Sequence, residues 1–174
     1  MIDFTNADGT PFMDARAAAF LAIFQRLKND PVLSRVIAKW SGMPLEFRKP
    51  TATELPYMQI TLAAGPIGVH SPNSHESTLN VSLRYAVSAA GQDEETAWID
   101  ILNLYAHVEK AIDPFGDTAW IRNSIAEADP TASLRGQVAF RQAGYTSIPL
   151  SDINALAGES VLSVTLRTDT CRSK

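Results

Sequence analysis

A chain of 174 residues, 45% apolar and 20% charged, has the size and composition of one folded domain with a sizeable core. Its formal net charge of −4 supplies no dominant cationic footprint and argues against a general coat for DNA or RNA. One cysteine, Cys171, excludes an intramolecular disulfide framework and a multi-cysteine zinc site, and no apolar run is long enough to cross a bilayer.

Met1-Ile2-Asp3-Phe4 lacks the basic and apolar regions of a signal peptide, so the expected compartment is the cytoplasm of the producing cell. Residues Met1–Pro11 read as a lead-in closed by the turn signal Asp8-Gly9-Thr10-Pro11. Asp14 is placed to cap a first helix with Phe20, Phe24 and Leu27 as its expected buried face. Leu21, Ile23 and the alanines at 17–19 stand on its flanks. Asn29-Asp30-Pro31 interrupts that helix, and Asp30 can cap a second piece running to about Trp40. Val32, Val36 and Ile37 with Trp40 are its apolar positions, and Ser41-Gly42 stops it. Met43–Pro56, with three prolines, reads as an extended connector, and Tyr57–Leu62 alternates as a core strand.

Ala63–Glu76 contains Gly65-Pro66, Gly68 and Ser71-Pro72-Asn73. It is too polar and broken for a core, and long for a plain hairpin loop. Within a single domain spanning 1–174, residues 63–77 are expected to project from the sheet edge as an arm that reaches a neighbouring subunit. Beyond it, Leu79, Val81, Leu83, Tyr85 and Val87 alternate with Asn80, Ser82, Arg84 and Ala86, which is the period of a strand with one face on a core. Gly91 breaks the chain, and Gln92 or Asp93, the better cap, starts a helix whose opening carries Glu94 and Glu95. Its expected buried stripe is Trp98, Ile101, Leu102, Tyr105, Val108 and Ile112. Helix on sheet argues for an α+β layer, with a mixed or antiparallel sheet.

Asp113-Pro114-Phe115-Gly116-Asp117 turns the chain. Residues 117–158 are poorly periodic. Thr118–Ala126 suits a short helix or an irregular strand. Leu134–Phe140 reads as a strand weakened by Gly136, and Tyr145–Leu150 as an irregular or edge segment. Asp152–Leu156 is expected to make one short turn of helix. Glu159–Asp169 is the last clear strand, followed by a short, polar and basic end, Thr170–Lys174.

Reactive chemistry is sparse. His70 and His75 share the arm with Glu76. That spacing lacks the helical geometry of a metalloprotease, so surface residues in an intersubunit contact are the better reading. His107 sits beside the stripe of the long helix. Asp113, Asp117, Glu127 and Asp129 lie among turn-forming residues, where aspartate caps or bends backbone more often than it works as an acid–base pair. Cys171 near the end reads as a surface thiol. The glycines form no phosphate loop or dinucleotide fingerprint. The expectation is therefore no catalytic residue, no cofactor and no metal. Arg84 and Arg167 lie on the polar sides of the two strongest strands. On neighbouring strands they would share one face, either as a solvated face with salt bridges or as an electrostatic lining toward an acidic protein ring or passing nucleic acid.

The order helix, Leu-Pro-Tyr strand, arm, alternating strand, long helix, irregular strands and terminal strand resembles the tail-terminator proteins of long-tailed bacteriophages. The related minor tail or tail-completion proteins of prophages and gene transfer agents are similar. The resemblance rests on Glu54-Leu55-Pro56-Tyr57-Met58-Gln59-Ile60, Leu79–Val87, Trp98–Ile112 and Val161–Thr168, and covers most of Phe20–Thr168. The divided first helix and the region Asp117–Gly158 depart from the pattern. It implies a virion protein, assembled in the host cytoplasm, that closes into a ring with copies of itself, usually a hexamer. Such a ring caps the tail-tube protein, ends tube growth and meets a head-completion or connector protein. DNA would be a passing, non-specific contact, and no membrane or bond-making step is implied. On this reading His70, Asn73, His75, Glu76, Phe115, Arg135 and Arg141 are candidate subunit or tube contacts, and Arg84 and Arg167 candidate lining. The alternatives are another neck protein of head-completion or stopper type, a small α+β enzyme in which His70, His75 and a downstream carboxylate converge, and a monomeric binding module.

Overall fold

The computed structural model describes residues 9, 13–42, 50–63, 67–71, 74–91, 94–113, 116–134, 138–150 and 153–169. In chain order its elements are α1 (Ala15–Lys28), α2 (Leu33–Val36), β1 (Lys39–Ser41), β2 (Tyr57–Ala63), β3 (Ile67–Ser71) and β4 (Ser74–Ser88). There follow α3 (Glu94–Ile112), α4 (Ala119–Ala128), β5 (Ala132–Leu134), β6 (Ala139–Leu150) and β7 (Ile153–Asp169). A short 3-10 turn, Ala52–Glu54, precedes β2 and is closed by a capping box between Thr51 and Glu54.

Among the described residues the strands form one seven-stranded sheet in the order β1-β2-β4-β7-β5, with β3 beside β4 and β6 beside β7. β1 and β2 run parallel and every other pair is antiparallel, so the sheet is mixed and the fold is α+β. The spine is the β4–β7 ladder, in register from Ser74↔Asp169 to Ser88↔Ala155. At about 3.3 Å per residue it is roughly 50 Å long.

The alternation of β4 decides which face is covered. Leu79, Val81, Leu83, Tyr85 and Val87 are all buried. They join Met58 and Ile60 of β2, Leu162, Val164 and Leu166 of β7, and side chains of α1, α3 and α4 in one core. Each large side chain taken from water there contributes about 1.5–3 kcal/mol, an upper figure because unfolded chains already bury some of it. On the other face Tyr57, Ala86 and Ala157 make a small second cluster.

Several expected details change. On α1, Ala15, Ala18, Ala19, Ala22, Ile23 and Leu27 are buried, Phe20 and Phe24 are half-buried, and Leu21 is exposed. Small residues allow α1 a close approach to α4, so the alanines rather than the phenylalanines face inward. The capping roles of Asp14 and Asp30 hold: Asp14 accepts from Arg16 N, and Asp30 Oδ1 from Val32 N and Leu33 N. The second helical piece nevertheless stops at Val36, and Trp40 lies on β1. Ala38 and Lys39 donate to Pro56 O, so pairing beside β2 wins over helix extension.

Within the expected arm, the described residues 67–71 and 74–77 are strand. β3 pairs with β4 at Ile67↔Ser77, Gly68↔Glu76 and Val69↔His75, with a register shift between Val69 and Ser71. β4 also pairs with β7 along this stretch. Backbone bonds on both sides hold a polar strand that apolar alternation could not reveal. The short helical turn expected over Asp152–Leu156 is corrected in the same way. From Ile153 the chain is β7, paired with β6 at Leu150↔Ile153 and with β4 at Val87↔Leu156. The ambiguity over Thr118–Ala126 resolves to α4, with Ile121 and Ile125 buried. Residues 145–150 belong to β6, whose pairing among the described residues is with β7.

Candidate assembly surface

Helix α3 carries the surface of most interest, because its buried face is narrower than its apolar content. Ala97, Ile101, Leu104, Val108, Ala111 and Ile112 are buried and follow steps of three and four. Of the expected stripe, Ile101, Val108 and Ile112 are therefore correct. Trp98 is 37% exposed, Ile99 56% and Leu102 49%. Tyr105 is half-buried against the core edge, where burial and then the Glu109 carboxylate push its phenol pKa up. The choice of Trp98 and Leu102 over Ala97 and Leu104 is the correction. Both sets are helically spaced, and hydrophobicity alone favours the larger side chains.

The opposite flank of α3 is different. From Trp98 to His107 is nine residues, two and a half turns, so the two stand on opposite sides of the helix. There α1, the connector that follows it, α3 and α4 leave a groove of about 580 Å³ lined by Arg26, Asn29, Asp30, His107, Lys110 and Trp120. It continues into a second cleft of about 390 Å³ with Leu33, Val36, Leu55, Pro56, Val87 and Leu104 in its walls, and Asp100, Asn103 and His107 along α3. Arg26 is held in place. Its Nε donates to Ala111 O at 2.9 Å, and its guanidinium lies 5.5 Å from the centre of the Trp120 ring. Sequence reading found neither groove, since the first is made by three separate segments and the second by four.

The candidate lining residues lie on the sheet face turned away from the helices. Arg84 is opposite Glu159 and Glu76 opposite Arg167, so both arginines share that face. They stand eight β4 positions apart, roughly 26 Å. Arg84 Nε is 3.2 Å from Glu159 Oε1, which also accepts from Ser82 Oγ at 2.6 Å. Ser163 Oγ donates to Asn80 Oδ1 at 2.6 Å, and Thr78 and Thr165 hydroxyls lie 3.4 Å apart. This is a ladder of polar cross-strand pairs, with the Arg84 charge engaged by a carboxylate.

Of the candidate contacts, His70 lies on β3 and His75 and Glu76 on β4, all in the arm hairpin. His75 is exposed and Glu76 half-buried. Arg141 lies on β6 opposite Val161. The structure thus gathers His70, His75 and Glu76 on adjacent strands and separates them from Arg141. Asn73, Phe115, Arg135 and Cys171 lie outside the described residues. His107 is exposed on α3 and lines both grooves. Asp117 Oδ1 accepts from Ala119 N at 2.7 Å and Asp129 Oδ1 from Thr131 N at 2.9 Å, the turn-making roles expected of them. Among the described residues, no three His, Cys, Asp or Glu side chains gather as a metal site, and no helix is long and apolar enough to cross a membrane.

No protein-family model matches the chain, and no curated protein matches it. Among solved structures it is similar to a chain described as "Virion of native gene transfer agent (GTA) particle". The identity is 15% and the TM-score 0.40, over 84% of this chain and 93% of that one. A likeness of that grade assigns no role to any residue here.

Proposed function

We propose that this chain is a structural ring protein of a tailed-phage type of virion, which caps the tail tube, ends its growth and joins the tail to the head connector. The observation that carries this reading is the two-sided construction of α3, with exposed Trp98 and Leu102 on one flank, Ile99 on the outward crest and an open groove on the other flank. Large apolar side chains outside the core mark surfaces for protein contact. Unlike patches on opposite sides are what a cyclic assembly uses, since each copy offers one patch and receives the other. The succession of elements that carried the resemblance supports the same reading: the strand after Leu55-Pro56, the hairpin of β3 and β4, the long α3 and the closing strand β7.

On this reading growth stops for a geometrical reason. Closure satisfies the lateral surfaces, and an axial face unlike that of the tube protein gives a further tube layer nothing to pair with. No bond is made or cut, so the chain is not an enzyme. Light scattering and negative-stain imaging of the purified protein, with and without tube protein, test the proposal. A sixfold ring seated on tube ends is the expected result. A ring that binds the head connector and ignores tubes would move the assignment to another neck protein. A monomer under both conditions would refute it.

A further inference from the structure

One face of α1 lies open beside α4. Ala18, Leu21, Ala22, Gln25, Arg26 and Asn29 follow steps of three and four, so they share a stripe about 16 Å long. At its N-terminal end a hollow of about 430 Å³ is walled by Met13, Ala18, Leu21, Glu127 and Ala128. At its C-terminal end lies the groove of about 580 Å³ with Arg26, His107, Lys110 and Trp120. Ala22, Gln25 and Ser124 line both, so the two form one trough along α1. Met13 and Leu21 are 42% and 41% exposed, as apolar side chains at a protein contact are. The other end of the trough is cationic. Asp30 is the carboxylate in its wall, and Asp30 Oδ1 already accepts from Val32 N and Leu33 N. Arg26 is fixed by Nε on Ala111 O and by the Trp120 ring, and its terminal amino groups are left unengaged among the described residues. Lys110 and His107 are exposed and form no ion pair there.

We propose that this trough holds a linear segment of a different, partner protein, apolar at one end and acidic at the other. The apolar end seats between Met13 and Leu21, and the carboxylates meet Arg26 and Lys110. A guanidinium already anchored loses little freedom on taking a carboxylate, which favours such a pair. A nucleic acid strand fits less well, since its phosphates would meet Glu127 and an apolar wall along the rest of the trough. A length of about 16 Å takes about five residues of extended chain or about three turns of helix. The ridge of exposed Trp98, Ile99 and Leu102 and the cleft between α2 and α3 stay open, so the segment leaves room for a neighbouring copy. Its binding does not depend on ring closure.

Selection of a random-peptide display library on the immobilised full chain tests this. Enriched peptides should carry Asp or Glu at one end and Leu, Ile, Met or Phe at the other. Lys110→Glu and Leu21→Asp alter exposed positions, so their thermal unfolding should match wild type. Each should weaken binding of a selected peptide about tenfold or more. Arg35→Glu, at an exposed cation outside the trough, should leave binding unchanged. No enrichment, enrichment without acidic residues, or binding indifferent to Lys110→Glu would overturn the proposal. Single-stranded oligo(dT) that binds more tightly than any selected peptide, and loses that binding in Lys110→Glu, would assign the cationic end to nucleic acid and overturn it too. A ring that stays intact with peptide bound is the expected result. A ring dissolved by the peptide would show copies of the chain meeting at the trough, and would overturn the proposal while leaving the ring standing. Peptide binding by a chain that stays monomeric, alone and with tube protein, would uphold the trough and refute the ring.

Discussion

Gly158 lies in the middle of β7, directly opposite Tyr85 on β4. A Cβ at 158 would stand 2.5 Å from Tyr85 Cε2. The missing side chain is thus what allows the buried ring to lie across the strand and bring its hydroxyl 3.1 Å from Ser160 Oγ. Gly158→Ala is expected to destabilise the fold by about 1–3 kcal/mol through overpacking, read as a lower denaturation midpoint. Tyr85→Phe should cost about 1 kcal/mol by losing the hydrogen bond. Asp14 offers a test by pH. The Arg16 side chain bonded to it, with Nε at 2.8 Å, holds its carboxyl below the usual range. A depressed native pKa stabilises above the ordinary carboxylate value and is lost as pH falls through the native one. Asp14→Asn should therefore be less stable than wild type at pH 7, with the gap closing below about pH 4 in parallel thermal melts. Neither the glycine contact nor the ion pair was legible beforehand, because one joins residues on distant strands and the other is set by rotamers. The capping role of Asp14 was legible, since it depends only on sequence neighbours.

At the scale of elements, local periodicity spoke for the strand Leu79–Val87 and for the extent of α3, both dominated by their own side-chain pattern. It was silent where partners decide. The start of β4 is polar, and its strand character comes from backbone bonds to β3 and β7. The segment from Ile153 has strands on both sides. α3 gives the sharpest contrast between two adjacent apolar residues. Ile101→Ala should cost about 2–5 kcal/mol, since Ile101 is fully buried. Leu102→Ala, at a half-exposed position, should change stability by no more than about 0.5 kcal/mol. Chemical denaturation of the two variants measures both. Comparable losses would mean that the ridge belongs to the core. The candidate surface escaped sequence reading for this same reason, as an apolar stripe on a helix was taken to be a buried one.

For the whole molecule, the β4–β7 spine has a kinetic consequence. Asn80 meets Ser163 across 83 intervening steps of the chain, and Tyr85 meets Ser160 across 75. β7 follows every strand it pairs with, yet lies between β4 and β6. Closing such spans costs entropy before any contact is gained, which places refolding in the slower, high-contact-order regime. A polypeptide that has not yet inserted this strand has only part of the floor beneath α3. If copies assemble as proposed, one lacking this strand would offer no rigid lateral surface, and the topology itself would keep unfinished copies out of the ring.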